Sequence, residues 1–174
     1  MRFEHLIQIN DNSLTDVDNL SRSQLWFGLV ARAYKPTKFI MGLEGADILD
    51  TQVQEGVMLI KRRLDFGSFK IYDEIELHEE QRTVNRIYPS EFSGASSLII
   101  QIEEPQEAEL WLRFTYQIEE QANMPNSSGL EQQQMNEARK QAYKASDIDT
   151  VKMIRELAGM TPDLGNPASP SGYH

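Results

Sequence analysis

The sequence predicts an α+β fold in which a curved, seven-stranded antiparallel sheet wraps around one long C-terminal helix. Three observations carry that reading. Residues 46 to 119 read as strand after strand with short links, as an antiparallel meander requires. Leu130 to Ala158 reads as a single helix of roughly 40 Å, long enough to lie across a whole sheet. One face of the predicted sheet is apolar but for one ion pair, as a face turned toward that helix should be.

The elements follow in order. Phe3, His5, Ile7 and Ile9 alternate with Arg2, Glu4 and Gln8, with Leu6 the exception, and predict a first strand. Asn10 to Asn19 is a polar loop. Ser21 and Gln24 form a capping box that opens a helix over Gln24 to Ala33, with Trp26, Leu29, Val30 and Ala33 on one apolar face. Pro36 ends it, and a second short helix over 37–41 precedes the Gly42 to Gly45 turn. Strands are predicted over 46–54, 57–66, 69–78, 82–88, 96–103 and 108–119. A bend over 104–106 aligns Ile102 with Leu110, Ile100 with Leu112 and Leu98 with Phe114. In the long helix Met135, Ala138, Ala142, Ala145, Ile148, Val151, Ile154 and Ala158 recur at spacings of three and four. The small alanines in its first half leave room for a gap between helix and sheet. The order is a helix-grip arrangement spanning residues 1–158, and the Pro-, Gly- and Ser-rich stretch 159–174 reads as a disordered tail.

One hairpin breaks its own pattern. Folded about the two-residue turn Gly67-Ser68, the segment VMLIKRRLDFGSFKIYDEIELH sets Phe66 against Phe69, Leu64 against Ile71, Arg62 against Asp73, Ile60 against Ile75 and Met58 against Leu77. All share one face, so a guanidinium and a carboxylate lie opposite each other inside an apolar ladder. One reading is a polar anchor in a cavity; the other is an internal ion pair that pins strand register. If the next hairpin turns tightly at Glu79-Glu80, Arg86 joins Asp73 and Tyr88 joins Ile71, giving an Arg62–Asp73–Arg86 cluster; a longer HEEQR turn changes that register. Phe66, Phe69, Phe114 and Tyr116 are candidate aromatic walls. Phe92, in the loop PSEFSGAS, is a candidate for the cavity mouth. His5 lies on an apolar face, where a histidine is more often a satisfied core residue than a base.

Composition excludes other classes. A net charge of −10 disfavours nucleic acid and anionic membrane surfaces. There are no cysteines, so disulfides and thiol chemistry are out. No His, Asp or Glu cluster has metal-ligand spacing, the glycines form no phosphate loop, and no cofactor or metal is expected. No segment has the roughly 20 apolar residues of a membrane span, and Met1 to Ile9 carries no apolar stretch of signal-peptide length, so the cytoplasm is the expected location.

The opening FEHLIQIN, the helix SQLWFGLVARA, the segment GLEGADIL, the hairpin RRLDFGSFKIYDEIEL and the strand LWLRFTYQIE resemble the AtaL-like branch of the SRPBCC superfamily, over roughly residues 1 to 158. That superfamily also holds START lipid-binding domains, pollen-allergen-like proteins and polyketide cyclase/aromatases. The resemblance implies a helix-grip fold with an internal hydrophobic cavity and carries over no catalytic residue. The expected function is binding of an aromatic or polyketide-like small molecule, with Arg62, Asp73, Arg86 and Tyr88 at its polar end. The alternative is a cyclase, aromatase or dehydratase acting on such a molecule; a third class is a protein-interaction module.

Overall fold

The computed structural model describes residues 1–14, 18–91, 94–119 and 128–160. Its strands are β1 (Arg2–Gln8), β2 (Gly45–Gln54), β3 (Val57–Asp65), β4 (Lys70–His78), β5 (Arg82–Ile87), β6 (Ser96–Gln106) and β7 (Glu109–Ile118). They form one antiparallel sheet in the order β1-β7-β6-β5-β4-β3-β2. Helix α1 (Arg22–Tyr34) and a single 3-10 turn (Pro36–Lys38) link β1 to β2, and helix α2 (Gly129–Met160) follows β7. The helix-grip arrangement is the predicted one. The second short helix is smaller than expected, one turn around Pro36, and α2 runs two residues past 158. Residues 161–174, Phe92 and Ser93 lie outside the described residues. Among the described residues no helix is long and apolar enough to cross a membrane.

Local chemistry explains the elements. Ser21 accepts from the Gln24 backbone N–H and the Gln24 side chain accepts from the Ser21 N–H, so the predicted capping box closes. The β3–β4 register is the predicted one, with Arg62 opposite Asp73. Gly67 makes it possible: its φ of 85° suits only glycine at low cost, and a Cβ there would lie 2.8 Å from a Glu44 carboxylate oxygen.

Two registers differ from expectation. The β4–β5 link holds three residues, with Glu80 at φ 55° and His78 opposite Arg82. One extra loop residue turns every β5 side chain to the other face. Asp73 therefore faces Ile87 and Ile75 faces Asn85, while Arg86 sits opposite Glu74 on the outer face. The β6–β7 hairpin is also displaced, by two residues, which keeps the faces but changes the partners: Ile102 meets Leu112, Ile100 meets Phe114 and Leu98 meets Tyr116. The cause is a longer β6, reaching Gln106 and turning through Ala108 at φ 65°.

The core is built where the concave sheet meets the helices. Leu98, Ile100, Ile102, Leu110, Leu112 and Phe114 pack with Leu25 and Leu29 of α1 and Val151, Ile154 and Ala158 of α2. The two helices touch closely, because Gly28 presents no side chain to Ile154. Asn10 ties the loop before α1 to the β6–β7 turn, bonding the Leu20 N–H, the Leu20 carbonyl and the Ala108 carbonyl. Arg155 of α2 adds bonds to the carbonyls of Asp18 and Ile9. The helix faces depart from the predicted stripes. On α1 the buried residues are Leu25, Gly28, Leu29 and Ala33, with Trp26 and Val30 at the margins. On α2 the inward residues are Tyr143, Asp147, Thr150, Val151, Ile154 and Ala158, whereas Met135, Ala138, Ala142, Ala145 and Ile148 are exposed. The expected alanine-lined gap is therefore absent; polar and aromatic side chains point inward instead.

Candidate functional site

A cavity of about 220 Å³ opens between the sheet and the two helices. Its apolar wall comes from Leu64 and Phe66 of β3, Ile71 of β4, Ile87 of β5, Leu98 of β6 and Ile118 of β7, closed by Ile40. Its polar wall comes from Arg32 of α1, Asp73, Asn85, Ser96, Ser97, Tyr116, and Tyr143 and Ser146 of α2. A larger depression of about 600 Å³ lies on the outer face around Leu6, Trp111 and Arg113. There Arg113 is already paired with Glu103 and Glu4, so that surface offers its main cation no vacancy.

Three polar groups meet the inner cavity in different states of satisfaction. Asp73 is held by Arg62, whose Nε and Nη2 donate to its two oxygens at 3.0 and 2.6 Å while Nη1 donates to the Ala33 carbonyl at 2.8 Å. Both side chains of this bidentate pair are buried, and Arg62 is spent on the pair and on the end of α1. Tyr116 donates its hydroxyl to Asp147 at 2.7 Å, and Asp147 bonds His5 Nε2 at 2.6 Å through its other oxygen. Burial, and then the neighbouring Asp147 charge, push the Tyr116 phenol far above its usual range. Burial likewise raises Asp147, against the bonds from Tyr116 and His5 that favour its charged form.

Arg32 and Asn85 are the third state. Arg32 Nε is buried with no hydrogen-bond partner, and among the described residues its guanidinium makes no hydrogen bond or ion pair. Desolvation holds its pKa below the ordinary arginine value; Tyr116, Asp147 and Asp73 act the other way at longer range, and Arg62 adds like-charge repulsion. Asn85, 9% exposed, likewise has a buried Oδ1 without a partner. Buried polar atoms are otherwise almost always satisfied in folded proteins.

Residues 7–160 match the family model described as AtaL, acetylaranotin biosynthesis cluster protein L. The chain belongs to the AtaL family. No curated protein matches the sequence. Solved structures share the fold of this AtaL-family chain at low identity. The Zhui aromatase/cyclase from Streptomyces sp. R1128 is 14% identical with a TM-score of 0.56, covering 97% of this chain and 98% of its own. Ara h 8.0201 is 10% identical with a TM-score of 0.55, covering 90% and 98%. The di-domain aromatase/cyclase BexL of the BE-7585A biosynthetic pathway is 8% identical with a TM-score of 0.61, covering 90% of this chain and 49% of its own.

The AtaL-family structure sorts the residues singled out from sequence. Phe66, Asp73 and Tyr116 line the cavity. Arg62 stands behind Asp73, not in the wall. Phe69 is 44% exposed and stacks on Phe66 at 5.0 Å. Phe114 is fully buried core, stacked on His5 at 5.2 Å. Arg86 and Tyr88 are corrections that follow from the β4–β5 register. Arg86 pairs with Glu76 at 3.1 Å on the outer face, and the half-exposed Tyr88 donates to Glu74 at 3.2 Å. Ile87 takes the place opposite Asp73 that the tighter turn would have given Arg86, and Asn85 comes inward opposite Ile75. His5 is bound to Asp147 rather than to the cavity. Among the described residues no cluster of His, Asp and Glu could hold a metal ion.

Arg32, Tyr143 and Asp147 were not singled out from sequence. Arg32 lies seven residues after Leu25 and four after Gly28, on the buried stripe of α1, so helical spacing alone points it inward. Tyr143, Asp147, Val151, Ile154 and Ala158 share such spacing on α2. A template that counts only apolar residues overlooks them.

Proposed function

We propose that this protein binds a compact, mostly apolar aromatic or polyketide-like small molecule in the cavity between sheet and helices. The observation that carries the reading is a void whose wall holds buried polar atoms with no partner of their own. A volume of 220 Å³ equals about seven water molecules at liquid density. That suits a compact ligand of about two fused rings. In this reading Arg62 acts through Asp73, fixing its carboxylate in the wall, and the Phe66 and Tyr143 rings supply apolar surface. The aromatase/cyclases that share the fold support the ligand class by analogy of fold alone. Native mass spectrometry of protein isolated from its own host tests it. The expected result is a small aromatic compound retained under gentle conditions and released on unfolding. Recovery of ligand-free protein that no bicyclic aromatic stabilises against heat overturns it.

A second reading, an enzyme of the cyclase or aromatase type, is favoured by one feature. The Tyr116 hydroxyl in the cavity wall is coupled to a buried carboxylate with a raised pKa. A base of that kind, reached through a phenol, suits proton removal from a bound carbonyl compound. Turnover of the ligand recovered from the host, abolished in Tyr116→Phe with binding retained, separates enzyme from carrier.

A further inference from the structure

We infer that Arg32 and Asn85 form an acid-binding subsite, so that the ligand carries an anionic oxygen, best a carboxylate, at its inner end. The inference rests on the cavity reading above but draws on separate observations. The other charged groups near the cavity are already engaged: Asp73 by both arms of Arg62, and Asp147 by Tyr116 and His5. Arg32, partly buried as a residue and with its Nε fully buried, is left with a planar fork of N–H donors that no described protein group receives. A guanidinium of this kind matches a carboxylate through two parallel hydrogen bonds, which a neutral amide or ketone reproduces only in part. It cannot shed its proton to escape desolvation, as a lysine could, so an incoming anion is the relief available to it.

Asn85 adds direction. It comes from β5, in the sheet, whereas Arg32 comes from α1, and both face the same cavity. Its amide is 9% exposed and makes no hydrogen bond among the described residues. The orphaned atom is Oδ1, an acceptor, so it calls for a hydroxyl or N–H of the ligand beside the acid group, while the Nδ2 group can donate to the acid itself. Ser96, opposite the inward Ile87, brings a further hydroxyl to the same wall. A purely structural role is a poor account of Arg32, because a structural arginine is held by partners, as Arg62 is.

The test uses two probes of one shape, 1-naphthoate and the neutral 1-naphthamide, titrated calorimetrically into the full-length protein and into Arg32→Met and Asn85→Ala. The expected result is that the wild type binds the acid about tenfold or more tightly than the amide, the scale of one charge-assisted hydrogen bond. Arg32→Met should bring the two within about threefold of each other, mostly by weakening the acid. The variant should melt at or above the wild-type temperature, because a partly buried cation with no protein partner is removed. Asn85→Ala should weaken both probes while keeping the preference. Equal wild-type affinity for acid and amide overturns the acid subsite and leaves the cavity reading standing. A preference that survives in Arg32→Met overturns the role of Arg32. Failure of both probes to bind the wild type overturns the cavity reading, and the subsite with it. Should Arg32→Met not fold, Arg32→Gln keeps the side chain polar and is read against the same criteria.

Discussion

Asp147 is a carboxylate on a helix face that the packing buries, and its energetics can be read from its neighbours. Desolvation disfavours its charge; Tyr116 and His5 favour it; the balance leaves its pKa raised. The folded state therefore binds the Asp147 proton more tightly than the unfolded state does. From the ordinary carboxylate value of about 4 up to the raised folded value, stability falls as pH rises, opposite to a salt-bridged aspartate. Above that window the cost is constant. Asp147→Asn removes the titration but still accepts from the Tyr116 hydroxyl. Its melting temperature, measured against pH, should fall less steeply than that of the wild type just above pH 4, and match or exceed it at pH 7. Asp147→Ala leaves the buried phenol without an acceptor and should lose about 1–3 kcal/mol at pH 7. An Asn variant with the wild-type pH profile would show that Asp147 does not titrate as argued. Residues of this kind were legible in the sequence where the pattern made them conspicuous. Arg62 and Asp73 interrupt an alternating apolar ladder and so announce themselves. Arg32 and Asp147 sit on helices, where a charged residue every few positions is ordinary and only the exact spacing from Leu25 or Ile154 betrays an inward direction.

Between elements, the tightest fit is α1 on α2 at Gly28. A Cβ built there would lie 2.6 Å from both Cγ atoms of Ile154, which is itself fully buried. Gly28→Ala gains about 1 kcal/mol of helix propensity. Forcing the helices apart costs about 1–3 kcal/mol, so a net loss of stability is expected. In an Ile154→Ala background both Cγ clashes are gone and only a tight 3.0 Å approach to the Cβ remains, so the same change should cost markedly less stability. Chemical denaturation of the four proteins of this cycle measures the coupling, and additive effects would disprove the contact. The registers show why some of the sheet was legible and some was not. The β3–β4 hairpin turns on a glycine at φ 85°, a residue whose backbone freedom marks the turn in the sequence. The β4–β5 and β6–β7 links turn through Glu80 and Ala108, both at positive φ without being glycine. Nothing in their composition distinguishes a two-residue loop from a three-residue one. A single miscounted residue there exchanged Arg86 for Ile87 opposite Asp73 and brought Asn85 to the cavity.

Over the whole molecule, the feature that organises the fold is a space left unfilled. Protein interiors close-pack by default, and a void forfeits contacts that its lining would otherwise make. Here β4 and β7 alternate cleanly, the helices are capped and the sheet packs over α1 and α2, yet the wall around Ile71, Ile87 and Tyr143 stays open. That combination fits a fold whose stability is partly given up for a binding space. Ile87 sits opposite Asp73 at the end of β5 and lines the cavity, so a larger side chain there can grow into it. Ile87→Phe should therefore raise stability by about 0.5–2 kcal/mol, the usual gain from filling a cavity. For a domain of this size that is a rise of about 1–8 °C in melting temperature. The same ring should cut the affinity for 1-naphthoate at least about tenfold, since it occupies the volume the ligand needs. Stability and binding thus move in opposite directions from one substitution. In a close-packed interior the added ring would be strain, with a loss of about 1–3 kcal/mol. The sign of the shift in melting temperature, read by calorimetry on the ligand-free protein, decides between a true cavity and a packing irregularity.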